Sequence, residues 1–281
     1  MVSTVSFTKM HGFGNDFVIL DCRVGQSGEG LELSHELIAK LTDRRKGVGC
    51  DQLMVIGAPS NESVVANYRI FNPDGGEAEQ CGNGVRCVAR YLFEHDDLAN
   101  EFRLQAMKTE VDVICHEDGT VSVTLGVPDF TPESLPLNAP QQLSEYQVEA
   151  AGQNIKFGAV SIGNPHAVIS VQDVSEVEVQ RLGEAIQQHD MFPQSANVEF
   201  VDFSQRDSVI MRVYERGAGE TLACGSGACA VVAVGRAWGW LDEEVKVQMP
   251  GGQAIISWLG DSNKIWLRGE AVFVYQGQVT L

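Results

Sequence analysis

The chain alternates between short apolar or β-branched runs and a few segments with helical spacing. Apolar positions three and four apart predict one helix over 33–41 and another over 179–186, the second opened by a Ser175/Glu178 capping box. Two further segments, 84–93 and 227–238, are small and apolar, follow a Cys-Gly pair, and predict buried helices. The runs that predict β-strands are 17–20, 52–56, 64–70, 110–115, 120–125, 156–160, 167–171, 198–203, 209–214, 244–249 and 271–275.

Together these elements predict a mixed α/β (α+β) fold. The 281 residues are enough for two domains at about 150 residues each. A proline-rich stretch over 127–140 interrupts every period near the middle of the chain, so the main domain boundary is expected there.

An internal repeat is the most informative feature of the sequence. Cys81 and Cys224 are 143 residues apart. When the sequence is shifted by that number, each half shows the same order of a strand, a Gly-Glu turn, the motif Cys-Gly-x-Gly and a helix. A second similarity pairs Phe13 to Asp16 with Ile162 to Pro165 at a shift of 149 residues, and the two similarities occur in the same order in both halves. The repeat predicts two pseudo-symmetric half-domains. The pairs that coincide at the first shift are Arg69 with Arg212, Gly76 with Gly219, Glu77 with Glu220, Cys81 with Cys224, Gly82 with Gly225 and Gly84 with Gly227.

The charge balance and the start of the chain limit the expected partners and location of the protein. Acidic side chains outnumber basic ones 38 to 20, for a net charge of -18, which argues against nucleic acids and anionic membranes as partners. The start of the chain shows no secretory signal, and no apolar run approaches the roughly 20 residues of a membrane span. A cytoplasmic protein is therefore expected.

The seven cysteines include no CxxC pair and the six histidines are scattered, so we expect reduced thiols and no metal site. There is no GxxxxGK[ST] motif and no complete GxGxxG motif, which makes nucleotide binding a poor hypothesis. No Schiff-base lysine in a phosphate-binding setting is recognisable, so no pyridoxal phosphate or other cofactor is predicted.

The two symmetric cysteines suggest inversion at a carbon atom. A thiol at the start of a helix meets the positive end of the helix dipole, which is expected to lower the pKa of both Cys81 and Cys224. If the half-domains face each other, one thiolate can remove a proton from one side of a substrate carbon while the other thiol delivers one to the opposite side. The amides of Gly82-Asn83 and Gly225-Ser226 would then bind a carboxylate.

At these residues the sequence closely resembles the diaminopimelate epimerase family. The resemblance runs nearly end to end. The motifs that carry it are KMHGFGNDF from Lys9, GCDQ from Gly49, FNPDGGEAEQCGNGVRC from Phe71, GNPHAV from Gly163, ANVEF from Ala196 and YERGAGETLACGSGACA from Tyr214.

The resemblance implies a cofactor-independent isomerase that interconverts LL- and meso-2,6-diaminopimelate in lysine biosynthesis. It also implies a homodimer and two half-domains, each a mostly antiparallel β-barrel around a central helix. Because the last strand returns to the first half, these would be residues 1–125 with 270–281, carrying Cys81, and residues 126–269, carrying Cys224.

By motif, Cys81 and Cys224 would be the acid/base pair, and His166 and Glu215 would modulate thiol acidity. Arg216 is the natural partner of the distal carboxylate. A zwitterionic substrate suits many neutral amides with one acid and one cation. The implied substrate contacts are Asn15, Gln52, Asn72, Asn164, Asn197, Glu215 and Arg216, with Gly82, Asn83, Gly225 and Ser226 at the reacting α-carboxylate.

Two alternatives remain open at this level. Proline and hydroxyproline racemases share the two-thiol logic, but they show Cys-Gly-His and Cys-Gly-Thr where this chain has Asn83 and Ser226. A non-catalytic thiol redox or zinc module would instead show disulfide cycling or stoichiometric metal.

Overall fold

The structure, a computed structural model, describes residues 4–78, 81–107 and 109–281, so Glu79 and Gln80 of the first cysteine motif lie outside it. The helices are α1 (His35–Thr42), α2 (Gly82–His95), α3 (Val179–Gln187) and α4 (Gly225–Ala237), with a 3₁₀ helix over Val174–Glu176. The strands are β1 (Thr4–Gly12), β2 (Asn15–Asp21), β3 (Gln52–Gly57), β4 (Ala66–Phe71), β5 (Glu77–Ala78), β6 (Glu101–Gln105), β7 (Glu110–Cys115), β8 (Thr120–Thr124), β9 (Tyr146–Ala150), β10 (Gln153–Ser161), β11 (Pro165–Ser170), β12 (Asn197–Asp202), β13 (Ser208–Glu215), β14 (Gly219–Thr221), β15 (Glu244–Met249), β16 (Gly252–Ser257), β17 (Trp266–Glu270) and β18 (Val272–Thr280).

The chain divides into two compact units, Met1–Val123 with Gly269–Leu281, and Thr124–Arg268. In the first unit the strands pair in the order β18-β1-β2-β3-β4-β6-β7-β8, with the short β5 also on β4. Only the pairs β2 with β3 and β4 with β6 are parallel among those described.

The second unit repeats this topology strand for strand. Its order is β9-β10-β11-β12-β13-β15-β16-β17, with β14 also on β13. The parallel pairs are β11 with β12 and β13 with β15, at the places that correspond to those of the first unit. The internal repeat predicted from the sequence is therefore a repeat of topology.

Each unit packs its sheet against one central helix. Helix α2 contacts β1, β2, β3 and β7, and helix α4 contacts β10, β11, β12 and β16. Ten of the 13 residues of α4 are buried, because small apolar side chains surround that helix on all sides. The longest helix has 14 residues, and no helix in the described part of the chain could cross a membrane.

The helices over 84–93 and 227–238 are confirmed as α2 and α4, but the Ser175/Glu178 capping box is wrong. Ser175 lies inside the 3₁₀ helix, where its backbone amide donates to Asp173 Oδ1 at 2.8 Å. Helix α3 begins only at Val179, and Glu178 caps it without a side-chain hydrogen bond. Asp173 caps the 3₁₀ helix, because its side chain accepts the Ser175 amide, and Ser175 caps neither helix.

One prediction follows from the close packing of α3 on β13. A methyl group at Gly183 would lie 2.4 Å from Cγ of the buried Tyr214. We expect Gly183→Ala to lower the free energy of unfolding by about 1–3 kcal/mol through overpacking, although alanine is the better helix former. Urea denaturation measures this change.

Gly57→Ala is the control, because a methyl group there would meet nothing within 4 Å. A Gly183→Ala variant as stable as the wild type would contradict the close approach.

Candidate active site

Both cysteines singled out by the repeat cap a central helix. Cys81 is the N-cap of α2, and its Sγ accepts the backbone N–H of Gly84 at 3.4 Å. Cys224 is the N-cap of α4, and its Sγ accepts the N–H of Gly227 at the same distance. The sequence prediction that each thiol heads a helix is confirmed.

In the first unit, a tight turn presents Asn15 to Cys81. Phe13 and Gly14 both adopt left-handed backbone conformations, with φ of 56° and 81°, between β1 and β2. Asn15 Oδ1 then lies 3.8 Å from Cys81 Sγ and accepts a hydrogen bond from Asn83 Nδ2 at 3.4 Å. Two of the predicted substrate contacts therefore meet the first thiol.

An ionic network holds the other side of Asn15. Its Nδ2 donates to Asp51 Oδ2 at 2.9 Å, and Arg44 joins Asp51 to Asp16 at 2.7 and 2.6 Å. Lys9 is a second cation beside Asp16, at 2.5 Å. Burial alone would raise the pKa of Asp16, but its hydrogen bonds from Arg44 and Lys9 hold that pKa far below the usual range.

Gln52 and Asn72 lie on the neighbouring strands at the same sheet edge. Gln52 begins β3, Asn72 follows the end of β4, and Gln52 Nε2 donates to Asn72 Oδ1 at 2.9 Å. Since β2 and β3 are parallel, with Phe17 beside Gln52, the start of β3 lies next to the start of β2. Asn15, Gln52 and Asn72 are thus brought to one edge of the first unit.

A buried arginine that the sequence analysis missed fixes the start of α2. Arg86 is fully buried; its Nη2 donates to Asn83 Oδ1 at 2.9 Å and its Nη1 to the Gly82 carbonyl at 3.1 Å. Its guanidinium lies 4.6 Å from the centre of the Phe13 ring. The available signal was an arginine in a helix of small apolar residues, GVRCVA.

In the second unit, four polar side chains lead to Cys224. His166 Nδ1 lies 2.6 Å from Glu199 Oε1, and His166 Nε2 lies 2.9 Å from Asn164 Oδ1. Asn164 Nδ2 donates to Ser226 Oγ at 3.4 Å, and Ser226 Oγ lies 3.5 Å from Cys224 Sγ. The predicted residues Asn164, His166 and Ser226 are brought together at the second thiol.

Glu199 is the member of this group that the sequence analysis did not assign. It lies on β12, and both it and His166 have no solvent-exposed side-chain surface. Burial raises the pKa of Glu199, against the attraction of His166. Its signal was an acidic residue inside the apolar strand NVEFV, within a motif already quoted.

Asn197 and the turn after β13 hold the remaining predicted contacts. Asn197 Oδ1 accepts the backbone N–H of Arg216 at 2.9 Å, and its Nδ2 donates to the Pro165 carbonyl at 3.2 Å. Glu215 accepts a hydrogen bond from the Thr221 hydroxyl. The Arg216 side chain is exposed to solvent.

The two groups of residues occupy equivalent places in the repeated topology. They lie before or at the start of β2 and β11, at the start of β3 and β12, and at or after the end of β4 and β13, with the cysteines at the caps of α2 and α4. The equivalent pairs are Asn15 and Asn164, Gln52 and Asn197, Asn72 and Glu215, and Cys81 and Cys224.

The prediction of a lowered thiol pKa is wrong for Cys224. Its side chain is buried, and burial together with the negative charges of Glu215 and Glu199 raises the pKa of Cys224 well above the ordinary value. The hydrogen bonds from Ser226 and the Gly227 amide act in the opposite direction and are outweighed. The surroundings of Cys224 therefore favour the protonated thiol over the thiolate.

No cluster of three or more His, Cys, Asp or Glu side chains suited to a metal ion occurs within the described ranges. Two cavities there, of about 410 and 450 Å³, lie beside Trp238 in the second unit and beside Tyr91 in the first. None of the predicted site residues lines either one.

Comparisons with known proteins show which family this chain is similar to. A family model described as diaminopimelate epimerase matches residues 7–131 and 158–274. The chain is 45% identical over 280 residues to a diaminopimelate epimerase of Alkalilimnicola ehrlichii, covering 99% of each protein. It is 44% identical over 276 residues to one of Pseudomonas savastanoi pv. phaseolicola, covering 98% of this chain and 99% of that protein.

A solved structure supports the fold alone. A hydroxyproline epimerase from Agrobacterium vitis, with bound trans-4-hydroxy-L-proline, matches 99% of this chain and 93% of its own, with a TM-score of 0.70 and 19% identity. The predicted fold class is confirmed by this likeness.

The electrostatics of Cys224 generate a prediction. Because the charge of Glu215 raises the pKa of the Cys224 thiol, Glu215→Gln is expected to lower that pKa and to increase the thiolate fraction at a given pH. Alkylation of Cys224 by iodoacetamide near pH 8 should be about threefold to tenfold faster than in the wild type, since one pKa unit is a tenfold change. Peptide mapping by mass spectrometry follows the reaction.

Glu220→Gln is the matched control, because Glu220 lies on the same hairpin but pairs with Arg212. Its Cys224 should react at the wild-type rate. Slower alkylation in Glu215→Gln would contradict the sign of the effect.

Proposed function

Because the chain belongs to the diaminopimelate epimerase family, we propose that it interconverts LL- and meso-2,6-diaminopimelate as a step of lysine biosynthesis in the cytoplasm. The observation that carries this proposal beyond the family match is the pair of cysteine N-caps at equivalent places in two repeated units. Inversion of a carbon atom by two groups needs one that removes the proton and another that delivers one from the opposite side, and the repeat supplies two thiols.

In the proposed mechanism, Cys81 and Cys224 act on opposite sides of one α-carbon. One sulfur takes the α-proton as a thiolate while the other gives its thiol proton to the resulting carbanion, so the protonation states of the two are exchanged after each turnover. The reverse reaction starts from the exchanged state. The chemistry needs no pyridoxal phosphate, because the carboxylate-stabilised carbanion would be held by the protein itself.

The first turns of α2 and α4 are proposed to hold the α-carboxylate. The amides of Gly82-Asn83 and Gly225-Ser226 lie in those turns, where helix N–H groups have no partner within the helix. Negative charge that moves onto the carboxylate as the proton leaves is stabilised there. Arg86 supports this role because it fixes Asn83 and Gly82.

The other end of the substrate carries a second ammonium and carboxylate pair. We assign Asn15, Gln52, Asn72, Asn164 and Asn197 as neutral hydrogen-bonding contacts, Glu215 as the acid and Arg216 as the cation. The position of Arg216 supports this, since its backbone is held by Asn197 while its guanidinium is exposed. Arg216 would bind the distal carboxylate, and a variant without this guanidinium would lose its selectivity for substrates that carry a distal carboxylate.

A homodimer is also proposed, through the last strand of the first unit. Three apolar side chains of β18, Val272, Val274 and Tyr275, are 37%, 54% and 47% exposed. Exposed apolar side chains grouped on one strand are typical of an interface between chains.

The first test of the function is isotopic. In deuterated water, LL-diaminopimelate should give meso product that carries deuterium at the inverted α-carbon from its first turnovers, because the delivering thiol has exchanged with solvent. Mass spectrometry and proton NMR measure the label. Early product that retains the substrate hydrogen would contradict the two-thiol mechanism, and the same rate on proline would favour the racemase alternative.

Substitution of the two capping cysteines tests their role, and two other cysteines of the same helices serve as controls. Cys81→Ala and Cys224→Ala should each lower kcat by about 10²-fold or more. Cys87→Ala and Cys229→Ala remove buried thiols of the same helices that cap nothing, and should keep kcat within about threefold.

The second test concerns the distal carboxylate. Arg216→Met should lower kcat/KM for diaminopimelate by about 10²-fold, because one partner of a charge pair is lost. Arg206→Met, which removes an exposed arginine paired with Asp242 in the same unit, is the control. Circular dichroism checks the fold of both, and wild-type turnover by Arg216→Met would remove Arg216 from the site.

The third test concerns assembly. The wild type should sediment at about twice the 30.5 kDa of one chain, and Val274→Asp should sediment as a monomer, because a charge is costly in a dry interface. Leu259→Asp, at a site 67% exposed in the second unit, should remain dimeric. A dimeric Val274→Asp variant would exclude β18 as the interface.

A further inference from the structure

The pair of His166 and Glu199 is a difference between two otherwise equivalent units. In the first unit, the start of α2 packs on Phe17 and Met54: a methyl group at Gly84 would lie 2.8 Å from Met54 Sδ and 3.2 Å from Phe17 Cε1. In the second unit, a methyl group at Gly227 would lie 2.8 Å from Glu199 Oε1.

By strand register, Phe17 is equivalent to His166, and Met54 to Glu199. Phe17 pairs with Gln52 across β2 and β3, as His166 pairs with Asn197 across β11 and β12. Two apolar side chains therefore support the helix that bears Cys81. A buried ion pair is often no more stabilising than apolar residues of the same volume, so packing alone does not explain why the second unit has one.

The atoms that His166 contacts determine where its ring carries hydrogen. Asn164 Oδ1 is an acceptor only, so His166 Nε2, 2.9 Å away, must be the donor. The same amide then offers Nδ2 to Ser226 Oγ, which accepts it at 3.4 Å. Ser226 has its hydroxyl hydrogen left to point at Cys224 Sγ, 3.5 Å away.

We propose that Glu199 is a positioning residue: it keeps hydrogen on Nε2 of His166 and thereby directs a chain of donors, through Asn164 and Ser226, to the sulfur of Cys224. A carboxyl group suits this task in either protonation state. As a carboxylate it accepts Nδ1–H of an imidazolium, and as an acid it donates to Nδ1 of a neutral ring; in each of these two states Nε2 carries hydrogen.

The donors would point the opposite way only if Glu199 were a carboxylate beside a neutral His166 ring with its hydrogen on Nδ1. That state leaves a net negative charge fully buried in the pair, which is costly. The other groups near the pair are Cys224 on α4 and Glu215 on β13, and the charge of Glu215 opposes a second negative charge there. Glu199 thus holds the donors in one direction, toward Cys224.

This inference rests on the proposed function for its catalytic consequence only. When Cys224 becomes a thiolate during turnover, a hydroxyl donor already aimed at Sγ stabilises the charge without reorganisation. Cys81 has Asn15 Oδ1 near its sulfur instead, which is an acceptor. The two thiols, similar in their caps, therefore differ in the groups that face them.

The experiment is 15N NMR of the histidine ring nitrogens in wild type and in Glu199→Gln, with the His166 signals assigned by a His166→Phe sample. In the wild type, Nε2 should show the chemical shift and one-bond coupling of a protonated nitrogen throughout the neutral range. In Glu199→Gln, the amide can present either its oxygen or its NH₂ group to Nδ1, so the Nε2 signal should move to a value between the protonated and unprotonated positions.

Activity gives the second measurement. Glu199→Gln should lower kcat by about tenfold to a hundredfold with little change in KM, because the donor is misdirected in the transition state while binding is kept. Phe200→Leu, on the same strand and buried, should lower stability but leave the His166 signals and kcat unchanged. If Glu199→Gln does not fold, Glu199→Met takes its place; it copies the first unit and leaves Nδ1 without the carboxyl partner, so the Nδ1 signal should shift and kcat should fall as in Glu199→Gln.

An unprotonated Nε2 in the wild type would overturn the proposal, as would unchanged His166 signals in the Glu199 variants. Altered signals with an unchanged kcat would overturn the positioning role. A wild type that shows the expected signals but does not turn over diaminopimelate would support the direction of the hydrogen-bond donors and refute the proposed function. Failure of this inference and failure of the proposed function are therefore distinguishable.

Discussion

The site in each unit depends on one contact, a cysteine sulfur that accepts an amide N–H of the helix it begins. That contact ties the thiol to the first turn of a buried helix, so the sulfur and the helix amides are held together as one group. It also explains the glycine three residues after each cysteine. A methyl group at Gly84 or Gly227 would lie 2.8 Å from Met54 or Glu199, so the missing side chain lets the start of each helix lie close to the strands beneath it.

Around this shared contact the two units are electrically different. The first has a buried arginine, Arg86, at the start of its central helix, where the repeat places Cys229 in the second. The second has a buried acid, Glu199, where the first has Met54. The repeated frame thus has a buried cation beside the start of one central helix and a buried acid beside the start of the other.

The helices, most of the long strands, the repeat and the identity of the two capping cysteines could be predicted from the sequence, because each is local. Cys-Gly-x-Gly followed by small apolar residues can form little else than a capped buried helix. Seven of the described strands were not predicted, since the extended form of each depends on partners elsewhere in the chain: β1, β5, β6, β9, β14, β16 and β17. Glu199 and Arg86 were missed for the same reason: each is only an oddly placed charge until the fold brings it to His166 or to Asn83. The sign of the Cys224 pKa shift was missed because burial cannot be read from a helix dipole.

The pairing of the last strand with the first has a consequence for synthesis on the ribosome. The second unit is one uninterrupted segment, whereas the first needs β18 to complete its sheet beside β1. During translation the later half of the chain therefore has all its strands before the earlier half does. The sheet of the first unit stays open at the edge of β1 until β18 has emerged. A chain cut just before Val272 would therefore keep every strand of its second unit while the first unit exposes an open sheet edge at β1.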